Sequence, residues 1–158
     1  MNIQVERTRR RLNRLRAMYS GVRLTKETKE ECEDEVFSFF VNCYHIKDWL
    51  PRDRSLRVSG KLIRDFIDSH LELKICGDLC NGAKHCVLSR TPWTGSQPVL
   101  AGRLYESEGT NGVFHTIKCK FTILSNGQFY DALELAQRCM ALWDGFLASV
   151  STGGDLAV

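Results

Sequence analysis

The sequence predicts an α+β fold: a mainly helical bundle of about five helices with a small antiparallel β-sheet inserted before the C-terminal helix. Three observations predict it. Apolar residues recur every three or four positions over most of the first 83 residues, alternate over 113–123, and return to helical spacing after 131. The 158 residues, 43% apolar and 26% charged, are typical of a globular domain. We expect a single domain over 1–150 and a flexible tail over 151–158.

The first helix is predicted over about the first 23 residues. It is amphipathic and rich in arginine, with Arg7, Arg9, Arg10, Arg11, Arg14, Arg16 and Arg23. The next segment reverses sign, with acids from Glu27 to Glu35, and starts a second helix that Pro51 ends. We interpret the reversal as attraction between two neighbouring helices, with a phosphate-binding arginine arm as the alternative. The net charge of +3 is too small to predict nucleic-acid binding by itself.

Two shorter helices are predicted next. Ser59 is suited to cap the third helix, which ends near His70. The fourth helix covers about residues 73–83. The final helix begins at Asp131, which with Glu134 resembles a capping box.

The sheet is predicted from a change of period. Residues 113–123 alternate between apolar and polar, as in a half-buried strand. The dipeptide Asn126–Gly127 predicts a two-residue hairpin, with 128–130 as the returning strand. Segments 85–90 and 99–105 are the other strand candidates.

Seven cysteines in a chain whose start lacks a secretory pattern favour reduced, buried thiols in a cytoplasmic protein. The candidate ligands for a metal site would be Cys76, Cys80, His85 and Cys86. Their spacing, however, contains neither a CxxC pair nor a second zinc knuckle. We therefore predict neither a metal nor another cofactor. No apolar run approaches the ~18 residues of a membrane helix, so no membrane association is expected.

Polar residues occupy helix positions where apolar ones would be expected. Asn42, His45 and Trp49 share one face of the second helix, and a row with the same spacing begins at Asp78 in the fourth. If the two faces meet, they form an Asp-Asn-His network able to tune a histidine for acid–base work. Alternatively, they satisfy neighbouring backbone groups and fix a unique core. The candidate catalytic residues are His45, Asp48, Asp78, Asn81, Lys84 and His85.

Residues 64–70, RDFIDSH, resemble the R-x4-6-H motif of the HEPN family of helical-bundle ribonucleases. The resemblance implies that His70 acts on a ribose hydroxyl or a phosphate while Arg64 steadies the phosphate charge. On an ideal helix these two residues lie about 240° apart, so they converge only if the helix ends between them.

Three blocks, FFVNCYHIKDWL, LKICGDLCNGAKH and FYDALELAQRCMALWDGFL, resemble an uncharacterised bacterial protein family with Y-H-x-K-D-W and D-L-x-N-G-x-K-H segments. The resemblance covers most of residues 36–147. It implies a bacterial or phage cytoplasmic protein and points to the two polar rows. Neither the arginine-rich helix nor the R-x5-H segment belongs to it.

These observations favour a binding or regulatory module built around a buried Asp-Asn-His network. Its sheet edge or the loop of Trp93 would meet a protein partner or a second copy. The alternative is a HEPN-like RNA-directed nuclease or an inactive relative, and whether the chain is an enzyme stays open. A metal-dependent hydrolase ranks last because no Glu-x-x-His pair is present. The candidate binding residues are Trp49, Arg64, His70 and Trp93.

Overall fold

The computed structural model describes residues 2–23, 25, 28–56, 58–84, 91–110 and 113–152. That part of the chain forms five α-helices and four β-strands, which confirms the predicted α+β class. The helices are α1 (Ile3–Ser20), α2 (Thr28–Trp49), α3 (Gly60–Asp68), α4 (Leu71–Lys84) and α5 (Ala132–Thr152). The strands are β1 (Val22–Arg23), β2 (Val99–Thr110), β3 (Val113–Ser125) and β4 (Gln128–Asp131).

The sheet is antiparallel and is organised around β3. Strand β2 pairs along one edge of β3, while β1 and β4 pair with opposite ends of the other edge. The predicted hairpin joins β3 to β4: Asn126 has φ +47° and Gly127 has φ +75°. Two consecutive positive φ values are what a tight hairpin turn requires, and Asn-Gly tolerates them best.

The core lies between the helices and one face of the sheet. Ile117, Cys119, Phe121 and Ile123 alternate along β3 and are all buried against α1 and α5. The largest fully buried side chain is Trp143 of α5. No helix in the described residues has both the length and the apolar character needed to cross a membrane.

Helix α1 is docked on the bundle through an apolar face that includes Leu12 and Leu15. Arg11 and Arg14 both contact the Glu35 carboxylate of α2, at 2.6 and 2.8 Å. Ion pairs between partly exposed arginines and one carboxylate contribute only about 0–1 kcal/mol each, so apolar burial contributes most of the stability of the contact. The structure agrees with the interpretation of two mutually attracting helices.

Tyr19 joins three elements at the end of α1. Its hydroxyl donates to the carbonyl of Phe121 at 3.1 Å and accepts from the backbone N–H of the same residue at 3.0 Å. It also accepts a longer hydrogen bond, 3.4 Å, from the N–H of Leu133 at the start of α5. Burial raises the pKa of Tyr19 to about 12, because the phenolate would be poorly solvated there.

The predicted caps form. The Ser59 hydroxyl accepts from the N–H of Leu62 at 3.2 Å, and the Asp131 carboxylate accepts from the N–H of Glu134 at 3.0 Å. Both side chains therefore satisfy a backbone donor that the helix itself leaves unpaired.

Some boundaries differ from the prediction. Helix α1 ends at Ser20, not near residue 23, because Gly21 adopts φ +124° and turns the chain so that β1 pairs with β3. Strand β2 continues to Thr110, beyond the predicted end at 105. The strand candidate 85–90 lies outside the described residues.

Candidate functional site

The His45 imidazole is oriented by an acid on its own helix. Its Nδ1 lies 2.7 Å from Oδ2 of Asp48, and Nζ of Lys47 lies 2.7 Å from the other carboxylate oxygen. Because an ionised carboxylate only accepts, Nδ1 carries the proton and donates it. Burial raises the pKa of Asp48, but the hydrogen bonds from Lys47 and His45 outweigh it and hold that pKa below its usual value.

The other nitrogen of His45 faces α4. Its Nε2 lies 4.0 Å from Sγ of Cys80. A thiol, an imidazole and a carboxylate therefore follow one another in the order of nucleophile, base and orienting group. The Cys80 side chain is completely buried, however, so the sulfur is closed to a substrate. Helices α2 and α4 do face each other here, but they meet through a cysteine that the polar rows did not include.

Asp78 holds the loop of residues 91–98. Its Oδ1 accepts from the N–H of Trp93 at 3.0 Å, and its Oδ2 accepts from the N–H and the hydroxyl of Thr94 at 2.9 and 2.8 Å. The residue is 2% exposed. Three donors thus satisfy a buried carboxylate, as burial of a charge demands. Asn81, one turn later, is half-buried.

The same loop packs against glycines of α4. A Cβ at Gly77 would lie 2.7 Å from the indole of Trp93 and 2.8 Å from the ring of Tyr44. Gln97 lies against Gly82 in the same way and donates to the Asp78 carbonyl at 2.9 Å. The loop therefore approaches closely only because these helix positions lack a side chain. One side of the Trp93 indole rests on the helices, while 42% of the residue stays exposed.

The remaining residues of the first row serve other contacts. The carbonyl and Oδ1 of Asn42 accept from Nε2 of Gln4 on α1, at 2.9 and 3.2 Å. Trp49 is 38% exposed, and the Arg7 guanidinium lies 5.5 Å from its ring centroid. Asn42 and Trp49 thus bind α1, whereas His45 faces α4.

Two of the candidate catalytic residues cannot be placed: the side chain of Lys84 and the whole of His85 lie outside the described residues. Arg64 and His70 can be placed. Helix α3 ends between them, with Ser69 as its C-cap, and Arg64 is exposed. The Nδ1 of His70 lies 2.7 Å from the carbonyl oxygen of Phe66, so Nδ1 carries the proton and Nε2 is the basic nitrogen.

A group of three thiols was not predicted. The Sγ atoms of Cys43, Cys76 and Cys139 all lie within 4.8 Å of one another, on α2, α4 and α5, and all three residues are fully buried. Burial raises the pKa of Cys76 and of Cys139. Burial also opposes the Cys43 thiolate, but the neighbouring side chains of Cys139, Cys76 and Trp143 lower the Cys43 pKa overall. Cys80 does not belong to this group, and its sulfur lies near His45 instead. His85 and Cys86, the other members of the metal interpretation, lie outside the described residues.

The sheet has one face without a helical layer in the described structure. This outer face carries the even-numbered residues of β3 from Thr116 to Leu124, since the odd-numbered ones from Ile117 to Ser125 are buried. Val99, Leu124 and Phe129 are opposite one another across three strands and form an apolar row. Phe129 is 70% exposed and Val99 is 49% exposed. Sequence reasoning missed this row because each strand supplies only one member of it.

The other half of the outer face is charged. Leu104, 52% exposed, marks the boundary. Beyond it, acids of β2 face lysines of β3: Lys118 lies 2.5 Å from Glu108, and Lys120 lies 3.9 Å from Glu106.

Comparison of the chain with protein-family profiles, curated proteins and solved structures finds no match to any of them. Its structural class therefore follows from the fold alone. It is an α+β protein in which a helical bundle covers one face of a sheet.

Proposed function

We propose that this protein is a protein-interaction module that associates through the outer face of its sheet. The apolar row of Val99, Leu124 and Phe129 is the observation that carries the proposal. Burying a phenylalanine side chain contributes about 1.5–3 kcal/mol, and this fold leaves most of Phe129 in water. Contiguous exposed apolar residues rimmed by charges are typical of interaction surfaces.

The charge pattern of the outer face favours a second copy of the chain as the partner. Two such sheets pack face to face at about 10 Å. The two copies can be related by a two-fold axis that runs parallel to the strands, midway between the two sheets and level with the space between β2 and β3. This axis places β2 of one copy over β3 of the other. Glu106 is opposite Lys118 within one sheet, so this axis sets each Glu106 over the second copy's Lys118. The same operation sets Val99 over the second copy's Leu124. The face is therefore complementary to itself.

The buried polar residues support an interaction module rather than an enzyme. Asp78 is used to hold the 91–98 loop, and Asn42 is used to hold α1. The thiol of Cys80, the nucleophile that His45 could activate, is buried. These groups fix the packing of helices and loop, which gives the sheet a rigid support.

We further propose that the setting is the cytoplasm of a bacterium or of a phage-infected cell. None of the six cysteines that can be described is in a disulfide, which supports a reducing compartment.

Sedimentation velocity over a wide range of protein concentration tests the association. We expect a concentration-dependent dimer, weakened at least tenfold by Phe129→Ser or Leu104→Ser. Leu62→Ser is the matched control, because Leu62 is 46% exposed on α3, away from the sheet, and its loss should leave the dimer unchanged. A monomer at every concentration contradicts the proposal, and so does equal weakening by the control.

A pair of charge reversals tests the two-fold arrangement. Lys118→Glu should weaken the dimer, because it sets two acids against each other across the interface. Adding Glu106→Lys to the same chain should restore association. Failure of the double variant to recover any dimer contradicts the predicted pairing of β2 over β3.

An RNA-directed nuclease of the HEPN type is the second candidate. It is favoured by one observation, the end of α3 between Arg64 and His70, so that the two residues do not belong to one continuous helix. Incubation with labelled RNA tests it: cleavage by the wild type should disappear in His70→Ala and Arg64→Ala. Equal cleavage by all three proteins, or none by any, removes this candidate.

A further inference from the structure

The three buried thiols form a ligand set that the interaction surface does not use. Cys43, Cys76 and Cys139 come from three different helices, and their sulfurs lie within 4.8 Å of one another in the core. The Cys76 thiol donates to the carbonyl of Phe40 on α2 at 3.4 Å, and the Cys139 thiol donates to that of Glu72 on α4 at 3.4 Å. Helix packing therefore already brings the thiols together, with no loop to reorganise.

The indole of Trp143 points to a ligand at this position. Its Nε1–H is buried and makes no hydrogen bond of ordinary geometry in the described part of the chain. An orphaned buried donor of this kind is rare and needs an explanation. The same indole N–H lowers the pKa of Cys43, so it lies close to that sulfur without meeting the geometry of a hydrogen bond. A thiolate bound to an ion accepts an N–H more strongly than a neutral thiol does, and such outer hydrogen bonds commonly accompany metal ligands.

The donor set selects the kind of ion. Three sulfurs, joined by no carboxylate or imidazole of the described residues, favour a soft, thiophilic ion over magnesium, calcium or manganese. Zinc takes four ligands in structural sites, and the group assembled here from the described residues contains three. The arrangement therefore suits an ion that is complete with three sulfur ligands.

The net charge of the complex narrows the choice of ion further. All three residues are fully buried, so a complex with net charge would have to be desolvated at high cost. Three thiolates carry three negative charges. A monovalent ion such as copper(I) leaves two of them uncompensated, a divalent ion leaves one, and a trivalent ion leaves none.

We propose that Cys43, Cys76 and Cys139 form a binding site for a trivalent thiophilic ion, with arsenic(III) as the representative of that class. Arsenous acid reacts with three thiols to form three arsenic–sulfur bonds. Its three arsenic–oxygen bonds break, and each hydroxide leaves with one thiol proton as water. No atom changes oxidation state, so no oxidant or reductant is needed. The bound ion joins α2, α4 and α5 by covalent bonds.

Native mass spectrometry of the full chain incubated with arsenite tests the site. We expect one arsenic per chain, with a mass gain of one arsenic minus three protons, and a raised melting temperature. Cys43→Ala and Cys139→Ala should each abolish the three-proton product. The matched control is the double variant Cys32→Ala/Cys119→Ala, which removes two buried thiols outside the cluster and should bind as the wild type does.

X-ray absorption at the arsenic edge gives a measurement that needs no variant. Three sulfur neighbours and no oxygen neighbour are expected for the wild-type complex. The proposal is overturned by no retained arsenic, by two sulfur neighbours, by an undiminished product in Cys43→Ala, or by preferential retention of zinc when both ions are offered. The outcome is independent of the dimer, because the cluster lies in the helical core.

Discussion

The two faces of β3 belong to one strand but have different environments. On the inner face, Phe121 and Ile123 are buried by α1 and α5. On the outer face, Leu124 and its neighbour Phe129 line an apolar row that no helix of the described structure covers. Alternation along a strand predicts that its two faces differ, but not that both carry apolar side chains. The difference indicates that the inner face stabilises the fold and that the outer face is available to a partner.

Truncation on the inner face should have the largest effect. Phe121 is 1% exposed, so Phe121→Ala removes a buried ring and leaves a cavity between β3 and the helices. We expect the free energy of unfolding to fall by about 3–5 kcal/mol. Urea denaturation measures it, and a loss below about 1 kcal/mol would mean that the inner face is not tightly packed.

The loop held by Asp78 gives the next largest effect. Asp78→Ala leaves the N–H groups of Trp93 and Thr94 without their acceptor, at a cost of about 1–3 kcal/mol. Gly77→Ala should displace the Trp93 indole by direct contact, whereas Gly60→Ala, where a Cβ meets nothing, is the control. Tryptophan fluorescence together with thermal unfolding follows both changes. Unchanged spectra and melting in Asp78→Ala would show that the loop is held by other contacts.

Tyr19 gives a smaller and pH-dependent effect. Tyr19→Phe removes the hydroxyl that joins α1 to β3, which should cost about 1 kcal/mol near neutral pH. In the wild type, the unfolded chain loses the tyrosine proton above its ordinary pKa of 10.0, while the folded protein keeps it to about 12. The stability that Tyr19 contributes is therefore complete below pH 10 and is lost as the pH rises toward 12.

Melting temperatures of the wild type and Tyr19→Phe between pH 9 and pH 12 check this dependence. The difference between the two proteins should shrink as the pH rises. A constant difference across that range contradicts the assignment to Tyr19.

The outer face should show the smallest effect on stability. Phe129→Ser replaces a side chain that is 70% exposed, so the free energy of unfolding of the monomer should change by no more than about 0.5 kcal/mol. Urea denaturation at a protein concentration where the wild type is monomeric measures this change in monomer stability without a contribution from the dimer. A loss as large as that of Phe121→Ala would place Phe129 in the core and remove the contrast between the two faces.

Much of the fold could be predicted because it depends on residues close together in the chain. Ser59 and Asp131 cap helices through donors three residues away, and Asn126–Gly127 closes its turn alone. The site was less predictable. His45 and Asp48 pair within one helix turn, as their spacing allows, but the approach of Cys80 depends on how α4 packs against α2. Nothing local distinguishes that cysteine from one that only packs.

The sequence alone determined the helices, the hairpin and the burial of thiols, because periodicity and turn chemistry act over a few residues. Tertiary structure alone decided that Asp78 holds the 91–98 loop, that three cysteines from different helices meet, and that three strands align one apolar row. Each of these depends on pairing between segments far apart in the chain, and the strand register and helix packing that set it follow from the fold as a whole.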